Sequence, residues 1–259
     1  MSVDLPVEEV VRVELPIGFL HEGKLLTSAE IAPMTGRVRK VIARPEIRQN
    51  PARVIDTLLM ECVRSVGNLG RPKKSLIEAM FLGDRDFLIM EIRRISLGKD
   101  VHSTLQCDAC NEKLTMTIDL TRDVPVKKLK EIEYAIEEGK IVFILKDPIL
   151  KINAKFCLPT GAHQNSVANL YKKNPIEANY ALYQSCLIEW NGTSISELPP
   201  NFFDGLPLPV IDFIDENFMA TLPGPDMRVP VNCSSCNNEM TITMESSDFL
   251  FRIPKRERT

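Results

Sequence analysis

Two C-x-x-C pairs, Cys107 with Cys110 and Cys233 with Cys236, constrain the fold of this chain more than any other feature of its sequence. A C-x-x-C turn places two thiolates on one side of a tight loop, which supplies half of the tetrahedral ligand set of a structural zinc ion. Because 122 residues separate Cys110 from Cys233, the pairs can share one ion only if the chain folds back on itself. We predict that these four cysteines bind one structural zinc ion.

Three other roles of the cysteine pairs fit the sequence less well than a structural zinc site. A thioredoxin-like redox pair begins at a helix N-terminus, whereas strand-forming Thr, Met and Ile follow both pairs here. Two disulfides suit a secreted protein, but residues 1–6 lack the basic and apolar regions of a secretory signal, so a reducing cytoplasm is expected. A catalytic zinc normally takes a His or carboxylate ligand and keeps one position open. His102 precedes Cys107 by five residues, but four thiolates already fill the shell.

The other cysteines and the histidines are predicted to carry no chemistry. Cys62, Cys157 and Cys186 stand alone in apolar stretches, where cysteine behaves as a small hydrophobic residue. They are therefore expected in the core. His21, His102 and His163 are predicted to be surface or capping residues. His21 and His163 are expected in turns.

The chain matches itself at an offset of about 125 residues, which predicts a tandem duplication. Turn residues alone align somewhere in most chains, but here the cysteines match as well, and a similar strand follows each pair. The matched positions are Thr35 and Thr160, Asn50 and Asn174, Cys62 and Cys186, Cys107 and Cys233, and Cys110 and Cys236.

The predicted fold class is α+β, with tandem duplicated units joined by a shared, zinc-ribbon-like four-cysteine site. Each unit comprises a β-hairpin, a helical subdomain and a C-x-x-C knuckle. The first unit covers residues 1–121, a linker covers 122–140, the second unit covers 141–253, and a basic tail covers 254–259.

The elements of each unit follow from hydrophobic periodicity and turn residues. The first unit is predicted to have strands at 11–16 and 25–32, helices at 51–66 and 75–97, and a strand at 114–120. The second is predicted to have strands at 141–145 and 150–158, helices at 175–190 and 208–222, and a strand at 240–244. Asn50 and Asn174 are the expected N-caps of the helices at 51–66 and 175–190. Turns are expected at Gly18, Gly23 and Pro148. The helix at 75–97 is expected to break near Gly83.

Composition and motifs argue against several functions. The net charge of −3 and the pI near 5.8 argue against unspecific nucleic-acid binding. The alternative function is a zinc-ribbon nucleic-acid-binding or regulatory protein, because four-thiolate ribbons often serve nucleic-acid machinery. No apolar run approaches the roughly 20 residues of a membrane span. No catalytic motif is present, so the chain is predicted not to be an enzyme. A phosphate contact at Gly83–Arg85 and Arg93–Arg94 is less favoured than a solvated helix face.

Four short stretches resemble tail proteins of contractile phages and phage-derived injection systems, the baseplate-hub or tail-assembly proteins of the T-even type. They are residues 14–18 (ELPIG), 31–36 (IAPMTG), 50–51 (NP) and 81–88 (FLGDRDFL). The resemblance covers residues 10–120 well and the second unit only through the repeat.

The resemblance implies a small, non-catalytic baseplate component or assembly factor. Its partners would be other baseplate or tail proteins, and it would occur in the cytoplasm during synthesis and in the assembled tail or virion. The family supplies no catalytic residues, only the knuckle cysteines. Near the chain end, residues 249–253 (FLFRI) either add a strand to a partner sheet or close the second knuckle's own hairpin, which is the favoured interpretation.

Overall fold

The computed structural model describes residues 9–244, so the interpretations of residues 1–6, 249–253 and 254–259 lie outside the described residues. The described chain is mixed α/β with several small antiparallel sheets. None of its helices is both long and apolar enough to cross a membrane.

The elements up to residue 121 alternate between short sheets and a helical portion. The strands are β1 (Val11–His21), β2 (Lys24–Ile31), β3 (Val63–Val66), β4 (Asp100–Gln106) and β5 (Lys113–Asp119). The helices are α1 (Gly36–Ile42), α2 (Pro45–Arg48), α3 (Pro51–Cys62), α4 (Lys74–Ala79) and α5 (Leu82–Leu97).

The elements after residue 121 follow a similar order. The strands are β6 (Val126–Lys127), β7 (Ala135–Glu137), β8 (Lys140–Asp147), β9 (Ile152–Cys157), β10 (Leu187–Trp190), β11 (Thr193–Ser194), β12 (Gly224–Pro225), β13 (Arg228–Asn232) and β14 (Glu239–Thr243). The helices are α6 (Gly161–Tyr171), α7 (Pro175–Cys186) and α8 (Leu208–Thr221), with 3₁₀ turns at Leu129–Glu131, Ile195–Glu197 and Phe202–Gly205.

The sheets divide the described chain into two helix-covered layers and two hairpins. One sheet has the order β1-β2-β3 and another the order β11-β10-β9-β8-β7. The pairs β4-β5, β13-β14 and β6-β12 form two-stranded sheets. One apolar cluster fills the first layer around Leu58 and Ile89, and a second, aromatic cluster around Phe143, Phe156 and Phe218 fills the other.

The two predicted long helices, 51–66 and 175–190, are each four residues too long. Asn50 and Asn174 cap them as predicted, with their side-chain oxygens accepting backbone N–H groups. The last four residues of each prediction instead form β3 and β10, which pair with β2 and β9. Helical periodicity alone does not report this pairing, because the apolar residues face the core in either conformation.

The predicted turn at Gly18 is also wrong, because β1 continues through it with a bulge. Gly18 has φ +98°, a conformation that glycine adopts readily. The buried Asp84 carboxylate accepts the N–H groups of Ile17 (2.8 Å) and Gly18 (2.9 Å). Burial raises the pKa of Asp84 to about 7, and the two N–H donors oppose that rise. The carboxylate therefore anchors the irregular part of β1 to α5.

The predicted helix at 75–97 breaks at Met80 and Phe81, before Gly83. The backbone at the break bonds to the other layer: Leu82 N–H donates to the Pro159 carbonyl (3.0 Å), and Gly161 N–H donates to the Met80 carbonyl (2.9 Å). Helical hydrogen bonds are thus replaced by bonds between the two units.

Gly83 lies inside α5, where its backbone contacts the loop before β12. A Cβ atom built on Gly83 would lie 1.8 Å from the Pro223 carbonyl oxygen and 3.0 Å from Gly224 Cα. Both partners are backbone atoms, so no side-chain rotation relieves the collision. This approach requires glycine and joins the start of α5 to β12.

We expect Gly83→Ala to destabilise the chain by about 3 kcal/mol, a lowering of Tm by roughly 6–12 °C. An interior Gly→Ala exchange normally stabilises a helix, so the collision reverses the usual sign. Gly36→Ala in α1 is the control, since a Cβ there meets nothing within 4 Å. Calorimetry giving the same Tm for both variants would contradict the close approach.

The solvated helix face predicted around Gly83–Arg85 and Arg93–Arg94 is wrong for Asp84, Arg85 and Arg93, which are all buried. Arg94 is partly exposed and pairs with Glu91 at 2.6 Å. Arg93 donates to the carbonyls of Gly98 (2.5 Å) and Asp100 (2.9 Å), and so joins the end of α5 to β4. Burial lowers the pKa of Arg93.

Arg85 belongs to a buried polar network that links α3, α5 and α6. Its Nη2 lies 2.7 Å from Asp56 Oδ1, and its Nη1 donates to the Ile77 carbonyl at 2.7 Å. The other carboxylate oxygen of Asp56 accepts from Asn165 Nδ2 of α6 at 2.9 Å. Helices α3 and α5 are thereby tied to α6.

The segment predicted as a linker, residues 122–140, packs as part of the fold. Strand β7 pairs with β8, and β6 pairs with β12. Its 3₁₀ turn buries Leu129 in the larger apolar cluster.

Candidate metal centre

The two C-x-x-C knuckles have the same backbone shape. In the first, Cys107 N–H donates to the Glu112 carbonyl and Asn111 N–H donates to the Cys107 carbonyl, both at 2.9 Å. In the second, Cys233 N–H donates to the Asn238 carbonyl at 2.9 Å, and Asn237 N–H donates to the Cys233 carbonyl at 2.8 Å.

A left-handed asparagine closes each turn. Asn111 has φ +59° and Asn237 has φ +58°. Asparagine tolerates this conformation better than most residues, so the residue that follows each C-x-x-C pair is suited to the turn.

Two antiparallel hairpins carry the knuckles, β4-β5 the first and β13-β14 the second. A small apolar cluster packs between them and α5. Its buried members are Met90, Val101, Ile118, Leu120, Val124, Val229 and Met244. The apolar contact brings the hairpins side by side and so brings the knuckles together.

The four thiols predicted as ligands converge. The Sγ atoms of Cys107, Cys110, Cys233 and Cys236 all lie within 4.8 Å of one another. Cys107 lies 3.6 Å from Cys236, and Cys110 lies 3.6 Å from Cys233. The first cysteine of each knuckle therefore faces the second cysteine of the other, as in a two-fold arrangement.

These distances fit a metal ion better than disulfides. A disulfide requires a sulfur separation of about 2.05 Å. Four sulfurs about 2.3 Å from one zinc ion lie about 3.8 Å apart at the corners of a tetrahedron. The four-cysteine cluster, defined as these four side chains, can therefore hold a metal ion.

The surroundings of the four-cysteine cluster favour thiolate at Cys107. Cys107 and Cys233 are buried beside Leu114, whereas Cys110 and Cys236 are exposed. Backbone N–H groups, that of Cys110 first, lower the pKa of Cys107 to about 6 against the effect of burial. The pKa values of Cys110 and Cys236 are instead raised, against the backbone N–H groups of Glu112 and Asn238, by burial and by hydrogen bonds with neighbouring thiols. Thiolate is the form of cysteine that binds metals.

The histidines lie apart from the four-cysteine cluster. His102 is exposed on β4, with its Nδ1 2.9 Å from Thr117 Oγ1. His21 is 3.9 Å from Glu22. His163 was expected in a turn but lies in the first turn of α6, where its Nδ1 accepts from Thr160 N–H at 3.0 Å. Its predicted capping role is confirmed.

A second cluster was missed by sequence reasoning. Cys157 and Cys186, predicted as core cysteines, are indeed buried, but the imidazole of His163 lies with them. The ligand atoms of all three are within 4.8 Å of one another. Spacings of six and 23 residues match no metal motif, so the sequence carries no local signal of this cluster.

The geometry can now be compared with known proteins. The family model described as T4 bacteriophage base plate protein matches residues 24–252, which include both knuckles and both helical portions. The chain belongs to the T4 base plate protein family. A search of curated proteins and a search of solved structures gave no match.

Membership of the T4 base plate protein family confirms the resemblance to T-even phage proteins. It supports a structural role in a phage baseplate, with other tail proteins as partners and the virion as the location. The four-cysteine cluster suits such a role, since four thiolates form a closed ligand set with no position for substrate.

Proposed function

We propose that the chain is a non-catalytic scaffold or assembly component of a contractile phage-like baseplate, locked by one structural zinc ion. Cys107, Cys110, Cys233 and Cys236 are its proposed ligands. The observation that carries the proposal is the convergence of four thiols from two knuckles that are 122 residues apart. Zinc is the proposed occupant because tetrahedral four-thiolate sets are typical of its structural sites.

Matched elements support a tandem duplication with the unit boundaries 1–121 and 141–253. Thr35 and Thr160 are the N-caps of α1 and α6. Asn50 and Asn174 are the N-caps of α3 and α7, which both end on a cysteine and run into a strand. The zinc ion would then join equivalent positions of two units and hold them in one orientation.

Exposed apolar side chains support contacts with other baseplate proteins. Of the ten large apolar residues exposed in the described part of the chain, six lie in the second unit, between positions 144 and 219. Ile176 (63% exposed) begins α7, and Leu208 (72% exposed) begins α8. We propose that the second unit provides the surface for its partners, since exposed apolar residues commonly mark protein interaction sites.

The hairpins that carry the knuckles give little support to nucleic-acid binding. Lys99 pairs with Asp119 at 2.6 Å, and Arg228 pairs with Asp226 at 2.9 Å. These cations are already neutralised, whereas phosphate binding needs a surplus of positive charge.

Deletion of the gene from its phage or injection system tests the proposal. We expect tail assembly to fail and to be restored by the wild-type gene but not by one encoding Cys107→Ser with Cys233→Ser. Asp108→Ser with Ser234→Ala changes the same two turns without removing a thiol and should restore assembly.

Tails that assemble normally without the gene would refute the proposed role, and salt-sensitive binding of DNA or RNA would favour the alternative. Mass spectrometry of purified tails separates a permanent component from an assembly factor.

A further inference from the structure

The second cluster lies where three elements of the second unit meet. Cys157 is the last residue of β9, His163 lies in the first turn of α6, and Cys186 is the last residue of α7. Their ligand atoms lie within 4.8 Å of one another. Both thiols are buried, and the imidazole is half-buried. A ligand held here would pin one strand end and two helix ends together.

The corresponding positions of the first unit provide a comparison within the same chain. Ala32 stands three residues before the N-cap of α1, as Cys157 stands before that of α6. Val38 occupies the third position of α1, where α6 has His163. Cys62 ends α3, as Cys186 ends α7. The same architecture therefore carries Ala, Val and Cys in one unit and Cys, His and Cys in the other.

This comparison indicates that the fold does not need ligand-type side chains at these positions. Ala32 and Val38 are buried and fill the equivalent space with apolar atoms. Two thiols and one imidazole are a donor set that thiophilic metals prefer, and zinc sites with two cysteines and one histidine keep a fourth position for water.

We propose that Cys157, His163 and Cys186 form a second zinc site, separate from the four-cysteine cluster. The proposal goes beyond the scaffold function, which requires only the four-cysteine cluster. Within the described residues, no further His, Cys, Asp or Glu belongs to this group, so the fourth ligand is water.

The tautomer of His163 follows from its neighbour. Its Nδ1 lies 3.1 Å from Thr160 Oγ1. In the structure Nδ1 accepts from Thr160 N–H, which puts the proton on Nε2. A metal bound at Nε2 would move that proton to Nδ1, which would then donate to the Thr160 hydroxyl instead of accepting from the backbone. A ligating histidine usually donates its other N–H in this way.

The ionisation of the cluster is compatible with binding. Burial, and then the charge of Lys140, lowers the pKa of His163, which favours the neutral imidazole. The Cys186 thiol donates to Cys157 and lowers the pKa of that thiol to about 7. A metal ion would displace the shared proton, because both sulfurs bind it as thiolates.

Metal analysis of the full chain, saturated with zinc under reducing conditions and then desalted, tests the second site. We expect two zinc equivalents in the wild type, one in Cys157→Ala with His163→Val, and one in Cys107→Ser with Cys233→Ser. The first of these variants reproduces Ala32 and Val38 of the first unit, so it should fold. Cys62→Ala removes the buried cysteine at the equivalent helix end and should keep two.

The outcomes separate the two sites. One equivalent in the wild type that persists in Cys157→Ala with His163→Val overturns the second site alone. One equivalent that persists in Cys107→Ser with Cys233→Ser overturns the four-cysteine site alone. His163→Gln, which keeps the capping box, should also lose one equivalent, and circular dichroism confirms folding of each variant.

Discussion

Replacing Cys107 and Cys233 with serine is expected to remove the metal from the four-cysteine cluster and to lower Tm by roughly 10 °C or more. Together the two substitutions remove one ligand from each knuckle, and a structural zinc site does not tolerate the loss of two of four thiolates. The buried apolar cluster at the knuckles is small, with Leu114 as its one fully apolar buried member within the described residues. It is therefore too small to hold the two hairpins together without the ion.

The measurements for this variant are the metal content of purified protein and a calorimetric melting curve. Asp108→Ser with Ser234→Ala is the matched control, because both residues are exposed in the same turns. The control should keep its metal and its Tm. If Cys107→Ser with Cys233→Ser loses no zinc equivalent relative to the wild type, the assignment of a zinc ion to the four-cysteine cluster is overturned.

Asp56→Ala is expected to lower the free energy of unfolding by about 3–5 kcal/mol, because it leaves the buried Arg85 guanidinium without its counter-charge. Arg85 is 1% exposed, and its ion pair with Asp56 is 2.7 Å long. Its Nε already has no hydrogen-bond partner. Asn165 of α6 would also lose the Asp56 carboxylate and keep only that of Glu78, at 3.3 Å.

Urea unfolding measures this effect, and two further variants test its cause. Adding Arg85→Met to Asp56→Ala should recover much of the stability, since an apolar replacement removes the unpaired charge. Glu137→Ala breaks the 3.2 Å pair with Lys155 on the surface and should change stability by no more than about 1 kcal/mol. Equal effects of Asp56→Ala and Glu137→Ala would contradict a buried network.

The helix caps and strand starts were predictable because they depend on short-range chemistry. Asn50 followed by Pro51 specifies a helix start by itself. The helix ends were not predictable in the same way. Val63–Val66 and Leu187–Trp190 continue the apolar periodicity, but they leave the helix because β2 and β9 offer backbone hydrogen bonds.

The charged residues of α5 show the same limit. Asp84, Arg85 and Arg93 appear in the sequence as a polar helix face, yet each is buried against partners distant along the chain or against backbone groups. A sequence pattern reports polarity, whereas burial depends on what packs against the residue. Only the packed chain presents the Ile17 and Gly18 amides to Asp84.

The sequence by itself determined the donor chemistry of the four-cysteine cluster and the resemblance to T-even phage tail proteins. Both rest on residue types at fixed, short spacings that survive in any conformation. Only the tertiary structure decided that the two knuckles face each other, that Asp56 contacts both Arg85 and Asn165, and that Cys157, His163 and Cys186 converge. Those contacts link residues far apart in the chain, and they form because apolar burial and backbone pairing bring distant elements together.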